Sequence, residues 1–117
     1  MRAGWLLLVF GGAALAQPSC FDAANDRAAL DECAQKEILP LEAAVVSRVN
    51  ALRAKYRNTA GLREALEKSQ DSWNAYRNGH CSVEAQARGG SEVAAQRAYA
   101  SCSKRELAAR LKELEGL

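Results

Sequence analysis

The sequence contains one histidine, one methionine, two prolines and only 6% aromatic residues, and each shortage excludes something. With His80 as the single histidine and no cysteine pair at C-x-x-C spacing, zinc ligands of the usual pattern are missing. Isoleucine and threonine each occur once, at Ile38 and Thr59, so the alternation of β-branched residues that marks strands is absent. Beyond residue 16 no apolar run is long enough to cross a bilayer as a helix. Lys and Arg number 16 against 14 Asp and Glu, and the two signs alternate along nearly every segment. The basic face that phosphate neutralisation requires is therefore lacking, which argues against nucleic-acid binding.

What is present begins with an export signal. Arg2 supplies a positive charge, Trp5 to Phe10 an apolar run, and Ala14-Leu15-Ala16 the small-residue pattern for cleavage before Gln17. Residues 1–16 read as a signal peptide, too short to remain as a membrane span. Residues 17–117 read as one domain of a periplasmic or secreted protein. Losing residues 1–16 removes only Arg2 among charged residues, so the formal charge falls from +2 to +1.

Alanine, leucine, glutamate, arginine, lysine and glutamine dominate from Asp22 onward, the composition of helices. The expected fold is all-α: an antiparallel three-helix bundle with a long, kinked first helix, stapled by disulfides. That first helix spans about Asp22 to Arg57, with an apolar stripe at Leu30, Ala34, Ile38, Leu41, Val45, Val49, Leu52 and Tyr56. Pro40 lies inside it, so a kink is expected between Gln35 and Leu39, with two helices meeting there as the alternative. Asn58-Thr59-Ala60-Gly61 offers a left-handed cap, an N-cap hydroxyl and a glycine for the first turn. The second helix covers about Ala60 to Ala87, with a stripe at Leu62, Leu66, Ser69, Trp73, Tyr76 and His80. Gly89 and Gly90 end it, Ser91 caps the third, and Val93, Ala100, Leu107, Leu111 and Leu114 follow.

Cys20, Cys33, Cys81 and Cys102 all follow the cleavage site, and an even number in a small exported chain implies disulfides. Cys81 and Cys102 flank the Gly89-Gly90 turn at comparable distances, which favours their pairing and leaves Cys20 for Cys33. Cys33 with Cys81, at similar heights in antiparallel helices, is the competing pairing. His80 directly precedes Cys81, yet neighbours on a helix point about 100° apart and a paired cysteine offers no thiolate. No enzyme activity, metal or other cofactor is expected from them. Trp73 and Tyr76 share a helical face with Leu62 and Leu66, which reads as core packing.

The run Gln70-x-x-Trp73-x-x-x-Arg77-x-x-x-Cys81, then Gly89-Gly90-Ser91, Cys102, Arg110 and Leu114, resembles the LprI-type lysozyme inhibitor N-terminal domain family. These are small secreted or lipid-anchored bacterial helical proteins. The likeness covers about residues 66–114, with Cys20 and Cys33 extending it toward the N-terminus. Asn78 stands where the family usually has Asp, and Leu107 where a threonine is common. The resemblance implies an inhibitor that protects the cell wall by occupying a lysozyme cleft, whose paired carboxylates suit a basic side chain. The stretch from Arg77 through Asn78, Gly79 and His80 to Arg88, Gly89 and Gly90 is the candidate inhibitory loop, while Arg110 is assigned to the scaffold. The alternative function is a structural or interaction module of the envelope that binds another envelope protein and has no effect on lysozyme.

Overall fold

The computed structural model describes residues 19–88 and 90–117. The expected signal peptide and cleavage site fall outside these residues, as does Gly89. Among the described residues every regular element is helical: a short 3-10 turn at Cys20–Ala23, then α1 (Arg27–Glu37), α2 (Leu39–Lys55), α3 (Ala60–Arg88) and α4 (Glu92–Glu115).

The expected long first helix is corrected at both its start and its middle. Asp26 caps α1, its carboxylate accepting from the Ala29 N–H at 2.8 Å, so the helix begins at Arg27 rather than Asp22. Its other end meets α2 at the single residue Ile38, and Pro40 occupies the first turn of α2. The reason is steric as well as a missing donor. Proline lacks the N–H that would bond the carbonyl of Lys36, and its ring crowds that carbonyl, whereas in a first turn neither defect matters. Ile38 keeps right-handed helical angles, bonding back to Ala34 and accepting from Glu42, both at 2.9 Å. Two helices therefore meet where one kinked helix was expected.

The turn after α2 is also made differently. Tyr56 ends the helix at φ −106°, and no described residue has a positive φ, so Asn58 is not a left-handed cap. Thr59 occupies the N-cap position of α3, its carbonyl accepting from Leu62 and Arg63. At the far turn Ser91 caps α4 as expected, its hydroxyl accepting from the Ala94 N–H at 3.1 Å.

α4 packs against every other element. Its buried residues Ser103, Leu107, Arg110 and Leu114 recur at steps of four, three and four, one stripe of a helix. Leu107 and Leu114 enter a core with Val45, Val49, Leu52 and Leu66, against which Ile38, Leu41, Tyr56, Trp73 and Leu111 pack. Burial of each such leucine contributes about 1.5–3 kcal/mol. A second core gathers Phe21, Ala24, Leu30 and Cys33, with Val93 and Ala100 of α4 beside it. α2 also closes the end of α4, where Arg48 donates to the Leu114 carbonyl at 3.2 Å and Tyr56 Oη to that of Leu117 at 2.8 Å.

The cysteines pair Cys20 with Cys33 and Cys81 with Cys102, at Cα separations of 5.8 and 5.4 Å. The competing Cys33–Cys81 pairing is set aside. Loop-closure entropy puts each bridge at about 3 kcal/mol.

Candidate functional site

Gln70, Trp73 and Arg77 stand at steps of three and four along α3, which places them on one face with Leu66 and Cys81. This is the face that α3 turns inward, with Leu66 and Cys81 buried and the three between them half-buried. The expected stripe holds at Leu66 and Trp73, which join the core, and is corrected at Leu62, Ser69 and Tyr76. Leu62 is 45% and Tyr76 56% exposed, and Ser69 is also exposed. The apolar residues pointed to a face rotated toward solvent, because two of the true inward positions carry a polar amide and a guanidinium.

Arg110 of α4 completes the cluster. It is only 7% exposed, and its guanidinium donates to Ser69 Oγ at 3.0 Å and to Gln70 Oε1 at 3.1 Å, crossing from α4 to α3. Glu113, one turn on, accepts at 3.3 Å. The indole of Trp73 receives two cations, with Arg77 5.1 Å and Arg110 5.8 Å from its ring centroid. Each such contact contributes about 0.5–1 kcal/mol or more as water is excluded.

Arg77 is the less satisfied of the two arginines. Its nearest carboxylate is Glu42 of α2, with Nη1 and Oε1 3.8 Å apart, too far for a hydrogen bond. Its buried Nε has no hydrogen-bond partner among the described residues. A buried donor left in that state costs about 1–3 kcal/mol. Beside it runs an open groove of about 290 Å³, with Glu42, Val45 and Val46 of α2 on one wall. Gln70, Trp73, Asn74 and Arg77 form the other wall, and Leu107 of α4 the floor. Glu42 and Asn74 gave no sequence signal, because their role depends on α2 and α3 facing each other.

The candidate inhibitory loop is divided by the structure. Arg77, Asn78, Gly79 and His80 are not a turn but part of α3, which continues to Arg88. Eight residues of helix place His80 about 12 Å along the axis from Arg88. There its ring stacks on Tyr76, centroids 5.3 Å apart, and Nε2 lies 3.5 Å from Glu84 Oε1. Arg88 is exposed at the helix end, Gly90 is exposed after it, and a side-chain carbon at Gly90 would meet nothing within 4 Å. This end of the molecule is braced on several sides. Cys81 bridges to Cys102, Arg105 donates to both oxygens of Glu84 at 2.8 Å, and Arg27 of α1 pairs with Glu92. The hydrogen bond from Arg105 holds the Glu84 carboxyl below its ordinary range, against the opposing effect of burial.

Glu37 is a second polar hub. It accepts from Lys104 Nζ at 2.6 Å, Ser19 Oγ at 3.0 Å and the Cys20 N–H at 3.0 Å, tying the start of the described chain to α1 and α4. Burial pushes this carboxyl up, but the bonds from Lys104 and Ser19, the Lys104 charge and the Cys20 N–H outweigh it and hold it below its usual value. Two groups of possible metal ligands, Cys20-Cys33-Glu37 and His80-Cys102-Glu106, come within 4.8 Å. Their sulfurs are engaged in disulfides, which leaves no thiolate to bind a metal.

Residues 20–114 match the model of the family described as lysozyme inhibitor LprI, an interval that starts at the first cysteine and includes the whole α3–α4 cluster. The chain belongs to the LprI family. No curated protein and no solved structure gives a significant match. Within this LprI chain the sequence motif corresponds to a physical unit, since Arg77 and Arg110 both lie over the Trp73 indole and Gln70 accepts from Arg110. LprI is an inhibitor family, and no helix among the described residues is long and apolar enough to cross a membrane.

Proposed function

We propose that this chain is an exported, non-enzymatic binding protein that inhibits a lysozyme and so protects the cell wall. The observation that carries this reading is the family match over residues 20–114. Four cysteines joined in two bridges suit an oxidising compartment, in keeping with a mature form that starts at Gln17 in the periplasm or outside the cell. We also read the helices as an antiparallel bundle in which α1 and α2 form one broken rod. Supporting that arrangement, Cys81 meets Cys102 while Ser69 and Gln70, earlier on α3, meet Arg110, later on α4.

The contact surface in this reading is the α3–α4 end, with Arg88 and Gly90 presented to the enzyme. A lysozyme cleft carries paired carboxylates, and Arg88 is an exposed cation two residues before Gly90, where a side-chain carbon would meet nothing within 4 Å. The bridge and ion pairs behind the turn reduce the ordering entropy lost on binding. Arg88→Glu tests the placement. It should weaken inhibition in a lysis assay by tenfold or more, about 1.4 kcal/mol, and leave the melting temperature within a degree or two of the parent. Unchanged inhibition by that variant would remove Arg88 from the interface.

A further inference from the structure

The α2–α3 groove lies away from the turn, and the reading of lysozyme inhibition makes no use of it. Three observations there point to a missing negative partner. Arg77 and Arg110 bring two cations to one indole, but Arg110 is already hydrogen-bonded to Ser69, Gln70 and Glu113. Arg77 has no hydrogen-bonded acceptor for its buried Nε, and its closest carboxylate stands off at 3.8 Å. That carboxylate, Glu42, has a side chain that is 44% exposed. A guanidinium is a planar fork matched to the two oxygens of a carboxylate. As it stands, Arg77 is stacked and charged, with no such partner in bonding distance.

We propose that this groove receives an acidic side chain from a partner protein, with Arg77 as the anchor and Glu42 as an intramolecular stand-in that the partner's carboxylate displaces. A protein segment, rather than a small acid, is the occupant because exposed aliphatic side chains stand on either side of Glu42 along α2. Leu39 and Val46 lie seven residues apart on the face of α2 that also carries Glu42, and they are 53% and 58% exposed. Two solvent-facing aliphatic side chains on either side of an ion site suit the flanking residues of a chain that places its carboxylate between them. The amides of Gln70 and Asn74 on the α3 wall offer additional hydrogen bonds to that chain. Drawing Arg77 into a two-pronged bond would also supply an acceptor to its buried Nε.

The test is an NMR titration of the mature oxidised protein with N-acetylglutamic acid α-amide, whose one carboxylate is on the side chain. Its neutral counterpart, N-acetylglutamine α-amide, is titrated at matched ionic strength. The Arg77 Nε–H signal and the Trp73 indole N–H signal should move with the acid and stay still with the amide. Glu42→Gln, which removes the stand-in, should lower the midpoint by about threefold, the size of a partly exposed ion pair. Arg77→Lys, confirmed as folded by its helical circular dichroism, should lose the response. N-acetylalanine, with its carboxylate at the chain end, should titrate more weakly than the side-chain acid. The proposal is overturned if the Arg77 signal does not move at high excess, if acid and amide move it equally, or if Glu42→Gln leaves the midpoint unchanged. Tighter binding of N-acetylalanine would overturn the choice of a side chain. None of these readouts involves lysozyme, so this inference and the inhibitor reading fail separately.

Discussion

Replacing Arg110 by methionine removes a guanidinium from the middle of the fold while keeping most of its aliphatic stem. Two acceptors on α3 lose a charged donor, Ser69 Oγ at 3.0 Å and Gln70 Oε1 at 3.1 Å. Hydrogen bonds to charged groups contribute about 1.5–3 kcal/mol each, so the lower end gives about 3 kcal/mol for the pair. The contact with Trp73 adds about 0.5–1 kcal/mol. Opposing these losses, methionine has no charge to desolvate at a position only 7% exposed, which returns about 1–2 kcal/mol. The net expectation is a loss of about 2 kcal/mol, or a fall in melting temperature of roughly 8–16 °C for a domain of this size. Arg110→Ala should lose a further 1–2 kcal/mol or so, because the stem packing goes as well. Urea denaturation of the oxidised proteins measures both, with an unchanged m-value showing that the same surface is exposed. If Arg110→Met is as stable as the parent or more so, desolvation outweighs the bonds and the guanidinium is not the brace between α3 and α4.

Trp73→Ala should cost roughly 3 kcal/mol in the same assay, toward the low end for an aromatic because the ring is only half-buried; loss of binding with no loss of stability would make it a contact residue instead. Serine at both Cys81 and Cys102 should lower stability by about 3 kcal/mol, read as a shift in the urea midpoint. Glu37 gives a pH signature. Its carboxyl is held low in the folded state, so the stability it contributes is present above the ordinary glutamate value of about 4.3 and fades as pH falls through the lower folded value. Glu37→Gln should therefore flatten the melting-temperature profile below about pH 4.5, and an identical acid slope in parent and variant would contradict the hub. Intact mass without reduction should correspond to a chain starting at Gln17 with no thiol open to alkylation.

Helix content, the α3 and α4 boundaries and the disulfide preference were legible because each rests on local signals. Gly90 and Ser91 delimit α4, and cysteine spacing about one turn suffices to suggest a pair. Pro40 marked the site of disruption, but periodicity could not say whether the chain bends or breaks there, since the apolar stripe runs through both outcomes. The inward face of α3 was misjudged for a related reason. Hydrophobic patterning favours Leu62 and Tyr76, whereas Arg77 turns inward because Trp73 and Glu42 offer its charge partial compensation. The Glu42 part of that compensation comes from another helix and leaves no trace in local spacing. The same holds for Glu37, whose partners Ser19 and Lys104 lie 18 and 67 residues away.

The most direct measurement is the lysis of a peptidoglycan suspension by purified lysozymes of the animal and bacteriophage types, with increasing amounts of the oxidised mature protein. The LprI reading predicts a dose-dependent loss of rate for at least one of them, reversed when the disulfides are reduced under conditions that leave the enzyme active. If neither enzyme slows at high molar excess of folded protein, the inhibitor function is contradicted, and interaction within the envelope is the reading that remains.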